Sequence, residues 1–349
     1  SFEYQALVQS RCYLRGQVTC LDCHTAPHAE HGEDELRKAP AGRSIADEGC
    51  RSCHAALFGS AARARHTHHK SASAQSCVSC HMPKVVTGVL DEFADHAIDV
   101  PVPENTTRHG IKNACATCHK DDSAEALAQS LHKLWPGAEK RQARRLRLAD
   151  AIDEQTAESS ESALLAVIAD ETEAPALRGA CALLLGQRFG KDFAALLPLL
   201  GHADPLLRTR AIEGLGYAKA RPAAEHLAKL LDDRALMVRY TAGLVLAMMG
   251  DMRAEGALRK LARDPQSAGL MQPHYALGLL AMRQGDLIAA TTRLEQAVTL
   301  VPYFTDGLIA LADVYARRGQ LGLARERLEE VLRFAPRDRA AAERLAQLP

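Results

Sequence analysis

The sequence carries Cys20-Leu21-Asp22-Cys23-His24, Cys50-Arg51-Ser52-Cys53-His54, Cys77-Val78-Ser79-Cys80-His81 and Cys115-Ala116-Thr117-Cys118-His119. In each of these four motifs, two thiols stand at the spacing that bonds the two vinyl groups of one haem, and the next residue is a His that can ligate the iron. We therefore predict four covalently bound c-type haems, attached through the eight motif cysteines. Their proximal ligands are predicted to be His24, His54, His81 and His119.

Two other interpretations of a Cys-x-x-Cys pair were weighed against haem attachment. A zinc site closes with further Cys or with His at finger-like spacing. A thioredoxin-like redox pair does not require His in the fifth place. Because His fills that place in all four motifs, the sequence favours haem.

Histidines outside the motifs supply candidates for the second axial ligand of each iron. Met82 follows a proximal His directly and cannot reach the opposite face of its own haem, so we expect two His ligands per iron. The favoured distal ligands are His69, His96 and His28, followed by His109. His28 lies four residues after a proximal His, which lets it ligate the next haem. The alternative for any of these residues is a solvated surface group, and that alternative is strongest for His31, His66 and His68.

The two cysteines outside the motifs are Cys12 and Cys181. For Cys12 we favour a small buried apolar role, with a thiolate haem ligand as the alternative because Arg11 and Arg15 flank it. Cys181 falls at a small buried position of a repeat and is predicted to serve packing. A disulfide framework is not expected.

Composition and charge indicate which partners and which cellular compartment to expect. The formal net charge is zero, which favours neither nucleic acid nor an anionic membrane surface as a partner. No apolar run approaches the ~20 residues of a membrane span. No charged-then-apolar leader precedes Ser1. Covalent haem attachment in prokaryotes takes place outside the cytoplasmic membrane, so we expect a periplasmic or extracellular protein whose signal peptide has been removed.

Residues 122–170 are predicted to form a helical junction. Asp122 and Glu125 resemble a capping box, and a helix should run to Trp135, before Pro136-Gly137. The next helix carries a basic stripe, which we interpret as a solvated face. The alternative is a surface for haem propionates or an acidic partner. The stripe consists of Lys140, Arg141, Arg144, Arg145 and Arg147.

Internal repeats occupy the rest of the chain. Leu177-Arg178, Leu207-Arg208 and Val238-Arg239 recur at 30 and 31 residues, each followed after two positions by a small residue. This pattern resembles short HEAT repeats. The period then becomes 34, with Gly285 and Gly319 as equivalents, which is the tetratricopeptide period. Stacked helix pairs of both kinds form a solenoid.

Residues 1–121 resemble a known family in their motifs. The string Cys77-Val78-Ser79-Cys80-His81-Met82-Pro83-Lys84 and the run His66-Thr67-His68-His69 are similar to multihaem cytochromes of the doubled-motif class. That class is related to the tetrahaem carriers of nitrification and to the haem-packing region of pentahaem nitrite reductases. The resemblance implies distal roles for His28, His69 and His96.

Two departures from the reductases accompany this resemblance. Relatives of the nitrite-reductase type often place a distal His shortly before the first motif, where this chain has Cys12 and Tyr13. No Cys-x-x-Cys-Lys motif occurs. Its absence argues against the reductase's catalytic haem.

We therefore predict a mainly α protein in which a haem-packed cytochrome domain precedes an α-solenoid. The predicted segments are the tetrahaem domain 1–121, the junction 122–170, HEAT-like repeats 171–265 and tetratricopeptide repeats 266–349. The expected function is electron transfer to and from redox partner proteins, not an enzymatic reaction. One alternative is a filament of identical subunits, joined through the repeats or through donated haem ligands. Another is a reductase of a small nitrogen or sulfur oxyanion.

Overall fold

The computed structural model describes residues 2–24, 45–86, 92–153 and 157–348. It divides into two compact units, Ser1–Leu177 and Arg178–Pro349. Helices dominate both units, and the predicted mainly α fold class is confirmed. Within the described ranges, no helix combines the length and the apolar character that a membrane span requires.

The first unit consists mostly of short helices. Its α-helices are Phe2–Leu7, Arg11–Gly16, Cys20–Cys23, Ile45–His54, Ser60–Thr67, Cys77–His81, Glu104–His109, Ala124–Leu134, Ala138–Ile152 and Ala157–Ala169. Its 3-10 turns are Ala55–Leu57, Ala72–Gln75 and Cys115–Thr117. The strands Lys84–Val86 and Glu92–Ala94 pair antiparallel, with Val85 opposite Phe93.

The helices of the predicted junction supply the apolar core of this unit. Leu127 and Leu131 lie on one face of Ala124–Leu134 and are buried, as the helical spacing predicts. Leu148 is buried on the next helix, and Leu164 is fully buried on the one after it. Residues 122–170 therefore belong to the same compact unit as the haem motifs. Ser123, not Asp122, caps the first of these helices, because its side chain accepts the Ala126 N–H.

The second unit consists of consecutive helix pairs. Its α-helices are Pro175–Arg188 (which begins in the first unit), Pro205–Tyr217, Ala224–Lys229, Leu236–Met249, Ala254–Leu261, Met271–Gln284, Leu287–Leu300, Thr305–Arg317, Leu321–Phe334 and Arg339–Gln347. The 3-10 segments are Gly190–Gly201, Arg221–Ala223 and Leu230–Asp232. This succession is that of an α-solenoid.

The arginine that recurs in the HEAT-like segment holds the turn before its own helix. Arg208 Nη1 donates to the carbonyls of His202 and Ala203, at 2.7 and 3.0 Å. Arg239 Nη1 donates in the same way to Asp233 and Arg234, at 2.8 and 3.1 Å. Each Arg satisfies two carbonyls of the turn that precedes its helix, so the repeated Arg has a structural role.

Two glycines let neighbouring helices approach closely in the HEAT-like segment. A Cβ placed on Gly186 would lie 2.1 Å from the Gly214 carbonyl oxygen, and a Cβ on Gly214 would lie 2.6 Å from the Ala182 oxygen. Both obstacles are backbone atoms, which cannot rotate away. Only residues without a Cβ permit this spacing of the helices Pro175–Arg188 and Pro205–Tyr217.

Gly186→Ala should therefore destabilise the second unit, by about 1–3 kcal/mol or more, because the added methyl group forces the helix backbones apart. Gly256→Ala is the matched control. Gly256 is also helical, but a Cβ there meets no atom within 4 Å, so this change should be neutral or slightly stabilising. Denaturant unfolding followed by far-ultraviolet circular dichroism measures both. Equal effects of the two changes would contradict the close-approach argument.

The tetratricopeptide helices end as their period predicts. Gly285 and Gly319 follow the first helix of each pair and have φ of 79° and 74°, left-handed values that favour glycine. The paired helices bury a common core that includes Leu294, Leu308 and Leu328. Repeats of this kind are stabilised by their neighbours.

Candidate haem site

Each haem motif lies on a short helical segment in the first unit. The two cysteines of a motif stand at positions i and i+3, so a helical turn brings both thiols to one side. In the first motif, the backbone N–H of Thr19 donates to Asp22 Oδ2 at 2.6 Å, which fixes the start of the turn. The thiol of Cys50 and that of Cys77 are hydrogen-bonded. The second and third motifs are therefore neighbours.

Three of the four motif histidines face a second imidazole. The ring centres are 6.2 Å apart for His24 and His96, 6.1 Å for His66 and His81, and 6.0 Å for His69 and His119. Two imidazoles bound to one iron, with metal–nitrogen bonds of about 2 Å and about 1 Å from each nitrogen to its ring centre, stand about 6 Å apart. The spacing fits a haem iron held between each pair.

Backbone carbonyls set which ring nitrogen is available in these pairs. Nδ1 of His81 lies 3.0 Å from the carbonyl oxygen of Asp99. Nδ1 of His96 lies 2.9 Å from that of Ala94, and Nδ1 of His69 lies 2.6 Å from that of Thr67. A carbonyl only accepts, so Nδ1 carries the proton and Nε2 keeps its lone pair for a metal. Such hydrogen bonds also fix the orientation of the ring.

The structure places the distal candidates in different surroundings. His69 and His96 lie opposite motif histidines. His109 does not: its Nδ1 is hydrogen-bonded to Asp153 and its Nε2 lies 2.9 Å from Asp150 Oδ1. Both ring nitrogens are therefore engaged by carboxylates, and no motif His faces this ring in the part of the chain that the structure describes. His28 lies outside the described residues.

His66 occupies a position that the sequence analysis interpreted as solvated surface. The carbonyl of His66 accepts the indole N–H of Trp135 at 2.7 Å, so the junction helices hold the end of the Ser60–Thr67 helix. His68 instead packs edge-on against Trp135, with ring centres 4.7 Å apart. Its φ of 56° turns the chain after the helix. Because of this turn, the His66 and His69 side chains face different motif histidines, His81 and His119.

His54 faces no imidazole within residues 2–24, 45–86, 92–153 and 157–348. The nearby Cys12 is an alternative ligand only as a thiolate. Burial raises the pKa of Cys12, and the charge of Cys53 adds to the rise. A raised pKa favours the neutral thiol, and Cys12 is partly buried.

Burial also affects the thiols of the later motifs. It raises the pKa of Cys80, and it raises that of Cys115 to about 11. Among the described residues, no group of three or more His, Cys, Asp and Glu side chains can hold a metal ion directly. The ligating groups stand in pairs, as haem requires.

Three of the five residues of the basic stripe bind carboxylates of this chain, whereas Lys140 and Arg141 are exposed. Arg144 contacts Asp99 at 3.1 Å and Glu173 at 3.0 Å. Arg145 contacts Asp99 at 3.2 Å, and Arg147 contacts Glu173 at 2.8 Å. Asp99 also supplies the carbonyl that orients His81. Arg144 and Arg145 therefore hold Asp99 in place, and the carbonyl of Asp99 is the hydrogen-bond partner of His81.

Family models match three consecutive parts of the chain. Residues 64–180 match cytochrome c552, residues 193–272 match HEAT repeats, and residues 281–348 match the tetratricopeptide repeat. No curated protein matches the sequence. The cytochrome c552 match includes the third and fourth motifs and implies covalently bound c-type haem. HEAT and tetratricopeptide repeats suggest protein–protein interaction.

The match corrects one expectation. The cytochrome c552 family is typically nitrite reductase, an enzyme, so the expectation that this chain is not an enzyme is wrong. The chain combines a segment similar to cytochrome c552 with HEAT and tetratricopeptide repeats, and the cytochrome match suggests an electron-transfer or nitrite-reductase-like haem protein.

Proposed function

We propose that the chain carries four c-type haems and passes electrons along them to a partner protein outside the cytoplasmic membrane. The supporting observation is the set of three facing imidazole pairs, spaced 6.0–6.2 Å apart. Haem held by two His is low-spin, has no open position for substrate and exchanges electrons. The protein holds one ring of each pair in place through an Nδ1 hydrogen bond, which limits rearrangement when the charge changes.

A second candidate function is reduction of a small nitrogen oxyanion such as nitrite. The family match favours it. Where two imidazoles fill both axial positions, no substrate can reach the iron, so such a reaction is confined to the second motif. There His54 holds one side, and the sequence assigns His28 to the other. Whether His28 ligates decides between a closed carrier haem and an open reductase haem.

Electron paramagnetic resonance of the oxidised holoprotein tests the proposal. We expect an intact mass equal to the chain plus four haems, with at least three irons low-spin. A spectrum dominated by high-spin iron would contradict electron transfer through paired-His haems. A minor high-spin signal that disappears when nitrite or cyanide binds would support the reductase.

His28→Met separates the two candidate functions. If His28 ligates the second haem, the variant exchanges one bis-His low-spin signal for a different signal, because Met is itself an axial haem ligand and raises the potential. His31→Met is the matched control, because it removes an imidazole from the same stretch of sequence. If neither variant changes the spectrum, the second haem has no His ligand from this stretch.

For the repeats, we propose docking of a redox partner on the solenoid, with self-assembly into filaments as the alternative. Solenoids present extended surfaces, and interfaces between copies that do not close generate filaments. Light scattering over a range of concentrations distinguishes them. Particles of constant size would exclude filaments and leave partner docking in place.

A further inference from the structure

Asp47 is a buried carboxylate that joins the second and third motifs. It is 1% exposed and lies three residues before Cys50 on the helix Ile45–His54. Its Oδ1 accepts the Ser76 hydroxyl at 3.2 Å and the Val78 N–H at 3.3 Å, at the start of the Cys77–His81 helix. Its Oδ2 accepts Nη1 of Arg63 at 3.1 Å. Both carboxylate oxygens are therefore engaged.

Arg63 has a donor that the protein leaves unused. Its side chain is 9% exposed, and its guanidinium lies 4.7 Å from the centre of the Phe58 ring. Nη1 binds Asp47, whereas Nη2 is buried and has no hydrogen-bond partner among the described residues. A buried charged donor without an acceptor is costly, so an acceptor of this nitrogen is expected.

Arg63 lies close to residues that are predicted to bind haem. Arg63 precedes His66 by three residues on the Ser60–Thr67 helix, so both side chains lie on the same face. The hydrogen bond with Cys50 lowers the pKa of Cys77, and the nearby Arg63 charge contributes to the same effect. Arg63 therefore lies near Cys77, which attaches the third haem, and its partner Asp47 lies on the helix that carries Cys50.

We propose that Nη2 of Arg63 donates a hydrogen bond to a haem propionate. Each haem brings two carboxylates, and the planar guanidinium matches carboxylate geometry. Asp47 holds the other side of the guanidinium and fixes its orientation. The pairing makes Arg63 a haem-binding residue that also raises the reduction potential of the haem it contacts, because a nearby positive charge stabilises the reduced form. The inference rests on the proposed haem content.

Arg63→Met in the holoprotein tests this pairing. We expect the propionate-bending band in the resonance Raman spectrum to shift and one of the midpoint potentials to fall. Arg65→Met is the matched control: Arg65 is exposed on the same helix, and its replacement should change neither. Arg63→Lys keeps the charge but loses the planar fork, so the Raman band should still shift while the potential stays closer to that of the wild type. The Lys variant also provides the Raman test if the Met variant does not mature.

An unchanged propionate band in a variant that retains all its haems would overturn the proposal, because Nη2 would then face water or another group. Intact mass and low-spin signals of the wild type report separately on the proposed function. A double variant identifies the haem whose propionate Arg63 contacts. His66→Met marks the haem held at His81 by shifting its potential. If adding Arg63→Met lowers the marked potential, the propionate belongs to this haem. If it lowers another potential, the propionate belongs to a neighbouring haem.

Discussion

Replacing His66 with alanine should convert the haem attached at Cys77 and Cys80 from low-spin to high-spin. The ring of His66 lies 6.1 Å from that of His81, and its loss leaves His81 as the single axial ligand. One iron in four should then give a high-spin ferric signal and bind cyanide. The haem content should not change, because the thioether bonds do not depend on the distal ligand. Added imidazole should restore the low-spin signal.

His68→Asn is the matched control for this change. His68 stands two residues away and packs against Trp135, and Asn tolerates its left-handed backbone. The control should keep the wild-type spin state. A low-spin spectrum in the His66 variant, or the same high-spin signal in both variants, would contradict the pairing of His66 with His81.

The parts of the fold that the sequence predicted are those with local repetition. Four copies of the Cys-x-x-Cys-His motif and the periods of 30, 31 and 34 residues are properties of the sequence itself. Leu294 and Leu328 stand 34 residues apart and are both buried in one core. The equivalence of these two positions follows from the repeat period alone, so both kinds of repeat were predictable.

Pairing of distal histidines was predictable only in part, because it depends on tertiary contacts. Three of the four residues in His66-Thr67-His68-His69 are His, and local sequence does not rank them. The turn at His68 and the hydrogen bond from Trp135 decide their directions. Trp135 is 69 residues from His66 in sequence. A partner so distant leaves no local signal.

Remote carboxylates explain the other departures. His109 precedes the fourth motif, a reasonable place for a ligand, yet Asp150 and Asp153 engage its ring from a helix more than 40 residues away. The basic stripe similarly finds Asp95, Asp99 and Glu173. Charge patterns identify which residues need partners, but not which partners the fold provides.

Replacing Arg144 with methionine should destabilise the first unit by about 2–4 kcal/mol. Glu173 is 4% exposed, and loss of one member of a buried ion pair leaves an uncompensated charge. The expected loss is below the upper range for such pairs because Arg147 still contacts Glu173 at 2.8 Å. Arg144 also donates to the Gln9 carbonyl at 3.0 Å, so the variant additionally frees the start of the chain.

Urea unfolding followed by fluorescence of Trp135 measures this loss, because Trp135 is the single tryptophan of the chain and lies in the first unit. Arg141→Met is the matched control on the same helix. Arg141 is exposed and contacts only the carbonyls of Trp135 and Pro136 among the described residues, at 3.5 and 3.3 Å. Its replacement should change stability by less than about 0.5 kcal/mol.

The double variant Arg144→Met with Glu173→Gln identifies the cause of the loss. If the buried charge of Glu173 is responsible, neutralising it should recover part of the stability, and the two changes should not be additive. Additive losses would instead assign the effect of Arg144 to packing and to its contacts with Asp99 and Gln9. The Asp99 carbonyl orients His81. Additive losses should therefore be accompanied by a change in the low-spin signal of the third haem. If the buried charge of Glu173 is the cause, that signal should stay unchanged.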